Sequence, residues 1–543
     1  MNIKRSILIA MLTPAVVIAA NADDTLHPRQ GVTFDNVSDL LAPFTRTGFD
    51  GHGGFAWLDY DGDKDLDLLI PGGIGSVTGL FRNNGDGTFT EVAEQAGIDV
   101  SGHGAVVAGD VDNDGYPDVY LAREGTLIGL AQNPPRFFHN NGDGTFSDIS
   151  ATAGVSDMES TLMAAMGDIN NDGYLDLFVS SPGHRDFIIP PAVQTLEKLY
   201  LNNGDLTFTD ITASAGVDAG LGSCVASFSH YDDDDYIDLF VGDCDSIVGA
   251  QTPFHIYRNN GDMTFTDVGA EAGLTLGHWM SSTLGDFDND GDIDLFSTNF
   301  GPISPLGIVE PHALFRNNGD GTYTDVASPE MAINQFSFGA SFADWDNDGW
   351  LDLFFTGAVS FAGFIGPEIG NPGHMFMNNR DGTFTEDNSI HGLDLRNQFT
   401  TGVAIADYDD DGFTDFAVFT TGYEVVDPAT GNVVLSDDGA PVLMRNNGNR
   451  NNSVTIRLEG TTSNRMGIGA QLRLFTGNSR QLREVYAGSS FASAETPWPT
   501  FGMGRKRFGF LHVKWPSGLQ EWFFVHANRT IDIREGNGIS ARR

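Results

Sequence analysis

The sequence predicts an all-β protein, a seven-bladed β-propeller followed by a small β-sandwich-like domain. Three observations predict it. An acidic phrase, D-x-D/N-x-D-G-x-x-D, recurs seven times with first positions at Asp59, Asp110, Asp168, His230, Asp286, Asp344 and Asp407, a period of 51 to 63 residues. A second phrase, aromatic-x-Asn-Asn-Gly-Asp-Gly-Thr-aromatic, follows in strict or looser form in the same units. The composition then changes sign near Arg450: residues 23–450 hold fourteen Lys/Arg against sixty-eight Asp/Glu, net −54, and residues 451–543 hold thirteen against six, net +7. Repeats of this length suit propeller blades, each a small sheet unable to bury both faces alone.

Taken in chain order, Lys4 and Arg5 precede an apolar run from Ile7 to Ala20, and Ala20-Asn21-Ala22 has the A-x-A form of a cleavage site. Residues 1–22 therefore read as a secretory signal, with the mature chain starting near Asp23. No later segment is long and apolar enough to span a bilayer. The expected destination is the periplasm, the cell surface or the medium. A formal net charge of −45 argues against nucleic acid as a partner.

Each repeat unit of residues 23–449 reads alike. A small-residue apolar strand precedes the acidic loop, as in Gly104–Gly109, and a hydrophobic strand follows, as in Leu175–Ser180. The Asn-Asn-Gly-Asp-Gly phrases span Phe81–Phe89, Phe138–Phe146 and Phe315–Tyr323, with looser copies at Tyr200–Phe208, Tyr257–Phe265 and Phe376–Phe384. Asn-Gly and Asp-Gly supply the positive-φ positions of a tight hairpin; the alternative is a second ion site. The last copy stops at Met444–Gly448, and an orphan Val32–Val37 matches the strand that copy lacks. The N-terminal strand is thus expected to complete the last blade and close the ring, leaving no exposed sheet edge.

Within nine residues each acidic phrase sets four oxygen-bearing side chains around a turn glycine, the way a short loop wraps a hard cation. Calcium is the expected ion, with magnesium the alternative. These blades resemble the FG-GAP and VCBS-type repeats of integrin α-chain propellers and bacterial surface proteins, over roughly residues 31–449. The resemblance implies calcium ligands at positions one, three, five and nine, with a backbone carbonyl at seven. Five loops match in full: Asp110, Asp112, Asp114 and Asp118; Asp168, Asn170, Asp172 and Asp176; Asp286, Asp288, Asp290 and Asp294; Asp344, Asp346, Asp348 and Asp352; and Asp407, Asp409, Asp411 and Asp415. Two depart. The first has Asp59, Asp61, Asp63 and Asp67, but Lys64 replaces the glycine and Gly62 sits two residues earlier. The fourth keeps Asp232, Asp234 and Asp238 but has His230 first and Asp235 for the glycine. A neutral imidazole is a poor calcium ligand. About five to seven ions are expected.

Two cysteines, Cys224 and Cys244, lie symmetrically about Asp234 in the fourth loop. In an exported hairpin they read as a disulfide, or else as two buried thiols.

The second composition begins at Asn451. Val454, Ile456 and Leu458 alternate as a half-buried strand. Asn464-Arg-Met-Gly-Ile-Gly-Ala470, Gly488-Ser-Ser-Phe-Ala-Ser493 and Trp515-Pro-Ser-Gly518 stand in order. They resemble the ASPIC/UnbV domain of the cartilage-acidic-protein-like family, over residues 450–536, leaving 537–543 as a tail. Arg465, Arg473, Arg483, Arg505, Lys506 and Arg507 make this module basic. They read as a docking face for the propeller, a site for an anionic glycan, or a solvated surface.

No nucleophile motif, phosphate loop or zinc-ligand cluster is evident. His52, His103 and His278, with Trp279 and Phe336, are candidates to ring one axial mouth, or are plain turn residues. The expectation is an exported, calcium-stabilised recognition or adhesion protein for an extracellular protein or polysaccharide. The alternatives are an enzyme with an axial site acting on a glycan or small metabolite, and a structural scaffold subunit.

Overall fold

A computed structural model describes residues 32–542, apart from 43, 45–52, 74–75, 124–132, 157–160, 182–196, 218–221, 233, 244–251, 300–310, 334–336, 358–372, 388–398, 422, 427–432 and 438. The signal-like residues 1–22, His52, Cys244 and Phe336 lie outside these.

Seven four-stranded antiparallel sheets follow one another along the chain. Blade two is representative: His103–Gly109, Asp118–Arg123, Arg136–Asn140 and Phe146–Asp148, innermost to outermost. The acidic loop joins its first two strands, and the Asn-Asn-Gly-Asp-Gly turn joins its last two. The seventh blade takes three strands from Phe399–Ala406, Asp415–Thr421 and Val442–Asn446, and its fourth from Phe34–Asn36, paired antiparallel with Val442–Asn446. The N-terminal strand therefore closes the ring, as its sequence predicts. Gly402 N–H donates to Gly53 O at 2.9 Å across the closure.

The first two strands of blade three, Met163–Gly167 and Asp176–Ser180, are wholly buried. Hence, apart from Asp176 at the end of the acidic loop, their sequences are small or apolar at every position, not alternating. The core is divided into wedges between adjacent blades. One joins Ala56, Leu58, Leu69 and Leu80 of blade one to Val106, Val119 and Phe138 of blade two. Each such buried side chain contributes roughly 1.5–3 kcal/mol of transfer free energy.

The C-terminal module is a sandwich of two four-stranded sheets. One orders Thr500–Gly504, Asn452–Glu459, Arg529–Arg534 and Gly538–Arg542; the other orders Ser479–Glu484, Gln471–Thr476, Phe508–Lys514 and Gln520–His526. Ile456, Leu472, Leu511, Trp515 and Ile531 pack between them. The sequence reading ended this module at 536, but Gly538–Arg542 pairs with Arg529–Arg534 and belongs to it.

One segment leaves the sandwich. Residues 485–496 enter the propeller axis and bond to its innermost strands: Met166 N–H to Ala487 O (2.8 Å), Ser490 N–H to Ser282 O (2.9 Å), Val106 N–H to Ala492 O (3.3 Å), Ala494 N–H to Phe55 O (2.7 Å) and Thr496 N–H to Ile405 O (3.2 Å). Gly54 and Gly488 are required by this close approach. A Cβ on Gly54 would stand 2.1 Å from Ala492 O, and one on Gly488 2.7 Å from Ala164 O. The small residues of Gly488–Ser493 are thus a plug sized to the axis, with Phe491 against Phe338 at 4.9 Å between ring centroids. Among the described residues no helix is long and apolar enough to cross a membrane.

Candidate metal centres

The acidic loops emerge together at one face of the ring, beneath the module. Their backbone explains their residue choices. Position four is left-handed in Asn113, Asn171, Asn289, Asn347 and Asp410, with φ from 56° to 63°. Position six is left-handed in Gly115, Gly173, Gly291, Gly349 and Gly412. Loop one obeys the same rule with the glycine exchanged: Gly62 takes position four at φ 78° and Lys64 position six at φ 75°. That residue conformation is unfavourable for Lys. Lys64 is held there by Asp532 of the module, whose Oδ2 lies 2.6 Å from Nζ, so its ammonium points away from the loop's carboxylates.

Position nine has a different task from position one. In blade two, Asp118 accepts Val111 N–H (3.0 Å) and Asn140 N–H (2.9 Å). Asp67, Asp176, Asp238, Asp294, Asp352 and Asp415 likewise accept the N–H of Asn83, Asn202, Asn259, Asn317, Asn378 and Asn446. Each ninth carboxylate thus ties its loop to its own third strand. Six of those asparagines, read from sequence as part of a turn or of a second ion site, also bolt blade to blade, whereas Asn317 Nδ2 bonds within its own blade. Asn140 Nδ2 donates to Tyr60 O of the preceding blade at 2.8 Å, and Asn446 Nδ2 to Trp345 O at 2.9 Å. Their recurrence in all seven units was the available signal.

Positions one, three and five converge. Oxygens of Asp110, Asp112 and Asp114 lie within 4.8 Å of one another, as do those of Asp286, Asp288 and Asp290, and of Asp344, Asp346 and Asp348; in loop one the group is Asp59, Asp61 and Asp67. The set Asp168, Asn170, Asp172 and Asp176 keeps the same backbone pattern, with Asp168 accepting Gly173 N–H at 2.8 Å; so does Asp407 with Gly412 N–H at 3.0 Å.

The residues fit a hard divalent cation. Both carboxylate oxygens of Asp286, and Oδ1 of Asp59, Asp407 and Asp409, are buried without a hydrogen-bond partner. Burial, then repulsion from neighbouring aspartates, pushes Asp286 up to about 7. Burial pushes Asp110 up to about 7, against a bond from Gly115 N–H. Asp344 and Asp407 are driven well above the carboxylate range by burial and adjacent acids. Gathered carboxylates that resist ionisation on their own are stabilised as anions by a bound cation.

Loop four is built differently. His230 Nδ1 meets Glu484 Oε1 of the module at 2.9 Å, and Ser229 Oγ donates to Glu484 Oε2 at 2.5 Å. Burial opposes charge on both partners. Glu484 nevertheless holds His230 above its ordinary value, and His230 with its hydrogen bonds holds Glu484 below. Lys514 Nζ sits 2.9 Å from Asp235 Oδ1 and donates to Asp234 O at 3.3 Å. Asp238 keeps its tie to Asn259 at 2.8 Å.

Other module side chains reach the loops. The Arg480 guanidinium lies against Gly291, where a Cβ would be 2.5 Å from it. Arg483 is buried beside Asp286 and Asp344. Of the basic residues the sequence singled out, Arg465 pairs with Glu459 inside the module at 2.9 Å and also reaches loop two, its backbone N–H donating to Asn113 Oδ1 at 2.7 Å and its guanidinium lying against Gly115, while Arg505 bonds Arg450 O at 2.8 Å. Cys224 is disulfide-bonded. His103, an axial candidate, is buried with Nε2 at 3.2 Å from Pro134 O, and burial pushes it down to about 4. His278 and Trp279 are buried.

Known proteins match this arrangement. The FG-GAP-like repeat model matches residues 59–121, 127–179, 230–297 and 310–355. The ASPIC and UnbV model matches residues 460–540. The chain is 26% identical to cartilage acidic protein 1 of Mus musculus over 514 residues, covering 90% of this chain and 73% of that one. It is 26% identical to the Homo sapiens protein of the same name, covering 86% and 69%, and 24% identical to that of Xenopus tropicalis, covering 86% and 70%. Among solved structures it is similar, at 14% identity and a TM-score of 0.39, to a GH74 enzyme of Niastella koreensis, covering 90% of this chain and 69% of that one. The chain is an FG-GAP-repeat protein with a C-terminal ASPIC and UnbV domain, similar over most of its length to cartilage acidic protein 1.

Proposed function

We propose that this chain is an exported recognition protein whose propeller and module are locked into one block by calcium in six of its seven acidic loops. Asp59, Asp61, Asp63 and Asp67 and the matching sets of loops two, three, five, six and seven would hold the ions. The ions would supply positive charge to buried carboxylates and tie each loop beneath the module. Loop four holds no ion, because His230 and Lys514 supply its positive charge. The observation that carries this reading is the buried, partnerless carboxylate oxygens of Asp286 directly under the module.

With the loop-side axis filled by residues 485–496, recognition falls to outer surfaces. The calcium-loaded chain is expected to bind selectively within a panel of polysaccharides and extracellular or cell-envelope fractions, and to lose that binding in EDTA. A calcium-loaded, folded chain that binds no member of the panel contradicts the recognition role.

A further inference from the structure

We propose that the outer face of the sheet carrying Phe508–Lys514 and Gln520–His526 docks an anionic polysaccharide, one bearing carboxylate or sulfate groups. This rests on the recognition reading above and names its surface and ligand class.

Trp522 is 61% exposed, Phe508 58%, Phe510 54% and Phe524 44%. They are four of the eight exposed large hydrophobics among the described residues, and the four share one face. Scattered exposed apolar residues need no explanation, whereas a contiguous patch marks a binding surface. This one is contiguous. Phe524 lies 5.6 Å from Phe508 and 5.4 Å from Phe510 between ring centroids, and Trp522 lies 5.5 Å from Phe475 and 4.6 Å from His512.

The strands fix the rings in cross-strand rows. Phe508 stands opposite His526, Phe510 opposite Phe524, and His512 opposite Trp522. On the other side of the same strand, Phe475 extends the second row and Arg473 the third. A seven-residue strand spans about 23 Å. The face is therefore a flat, stiff platform, unlike the pocketed centre that anchors a protein partner.

Charge decides the ligand class. The outward positions of these three strands include Arg473 and no carboxylate, on a chain of net charge −45, while Lys514 at the end of its row is engaged with Asp235 of loop four. Lys506 lies at the end of the face, its Cε 3.4 Å from where a Cβ on Gly477 would stand. A sugar ring presents a flat C–H surface to an aromatic ring, and its acidic groups then meet Arg473 and Lys506. The rest of the molecule repels a polyanion, so only a local surface of opposite sign can hold one.

The test is surface plasmon resonance of the full calcium-loaded chain over immobilised alginate, dextran sulfate and neutral dextran. Salt-sensitive binding to the two polyanions, and none to neutral dextran, is expected. The F508S/W522A/F524S variant and, separately, Lys506→Glu should weaken it at least tenfold with an unchanged melting temperature, since these side chains are exposed. Equal polyanion binding by wild type and the triple variant overturns this surface while leaving recognition standing. No binding to these or to any panel fraction overturns both. Variant-sensitive binding to phosphatidylglycerol vesicles alone, or variant-sensitive dimerisation seen by light scattering, overturns the polysaccharide in favour of a membrane or a second copy.

Discussion

In loop two, Asp110 occupies position one and three carboxylates converge, and the basic side chain among them, His139, lies 2.9 Å from Asp118 Oδ1 at position nine and is not bonded to Asp110. In loop four, His230 occupies that place, bonded to Glu484, and Lys514 lies over Asp234 and Asp235. The two loops share the backbone tie at position nine, Asp118 to Asn140 and Asp238 to Asn259. If, as proposed, an ion serves loop two, the comparison teaches that the fold demands positive charge at each loop and is indifferent to its source. At loop four that charge comes from the loop's own His230 and the module's Lys514.

The most disruptive way to break that comparison is chelation. Each ion present at a hundredfold its dissociation constant stabilises by about 2.7 kcal/mol. EDTA should therefore lower the melting temperature of the whole propeller, read by scanning calorimetry. An unchanged melt would mean that the loops need no ion.

Single substitutions sharpen it. His230→Ala leaves Glu484 buried without its partner and should cost roughly 3–5 kcal/mol, equally in calcium and in EDTA. Asp110→Ala should cost about 2.7 kcal/mol in calcium and much less in EDTA. Urea unfolding under both conditions checks the crossing, and a calcium-dependent penalty for His230→Ala would erase the distinction between the loops.

A smaller effect belongs to what the loops share. Asn140→Ala removes bonds to Tyr60 O and Pro117 O and should cost about 1–3 kcal/mol, with or without calcium. A penalty confined to calcium would make Asn140 part of the ion site.

The smallest lies away from the loops. Glu535 accepts the N–H groups of Thr461, Thr462 and Ser463 and the Ser517 hydroxyl. Burial raises its pKa, but these bonds outweigh it and hold the carboxyl below its ordinary 4.5. Its contribution is therefore complete above pH 4.5 and is lost as pH falls through the lower folded value. Glu535→Gln should destabilise by about 1–2 kcal/mol at pH 7, and the gap from wild type should close in acid.

Much of this was legible because it is local and repeated. The acids at fixed offsets, the exchange of Gly62 and Lys64, and the strand complementing Met444–Gly448 all lie within one repeat or between copies of it. Docking of the basic module on the acidic propeller is one reading of its charge, and Arg465 and Arg483 do reach the loops, but the particular contacts that join the two were not legible. Glu484 meets His230 across 254 positions, and Ser493 meets Phe55 across 438. Nothing local in Gly488–Ser493 distinguishes an axial plug from a loop of the sandwich. The aspartates at position nine were legible as acids but not as strand ties, because their partners' identity depends on which strands pair.

The most direct test of the account is the number of calcium ions held per chain, measured by native mass spectrometry after equilibration in calcium. Six ions, falling to five in Asp110→Ala and staying at six in His230→Ala, is the predicted result. A count of seven in the wild type, or of none, would contradict it.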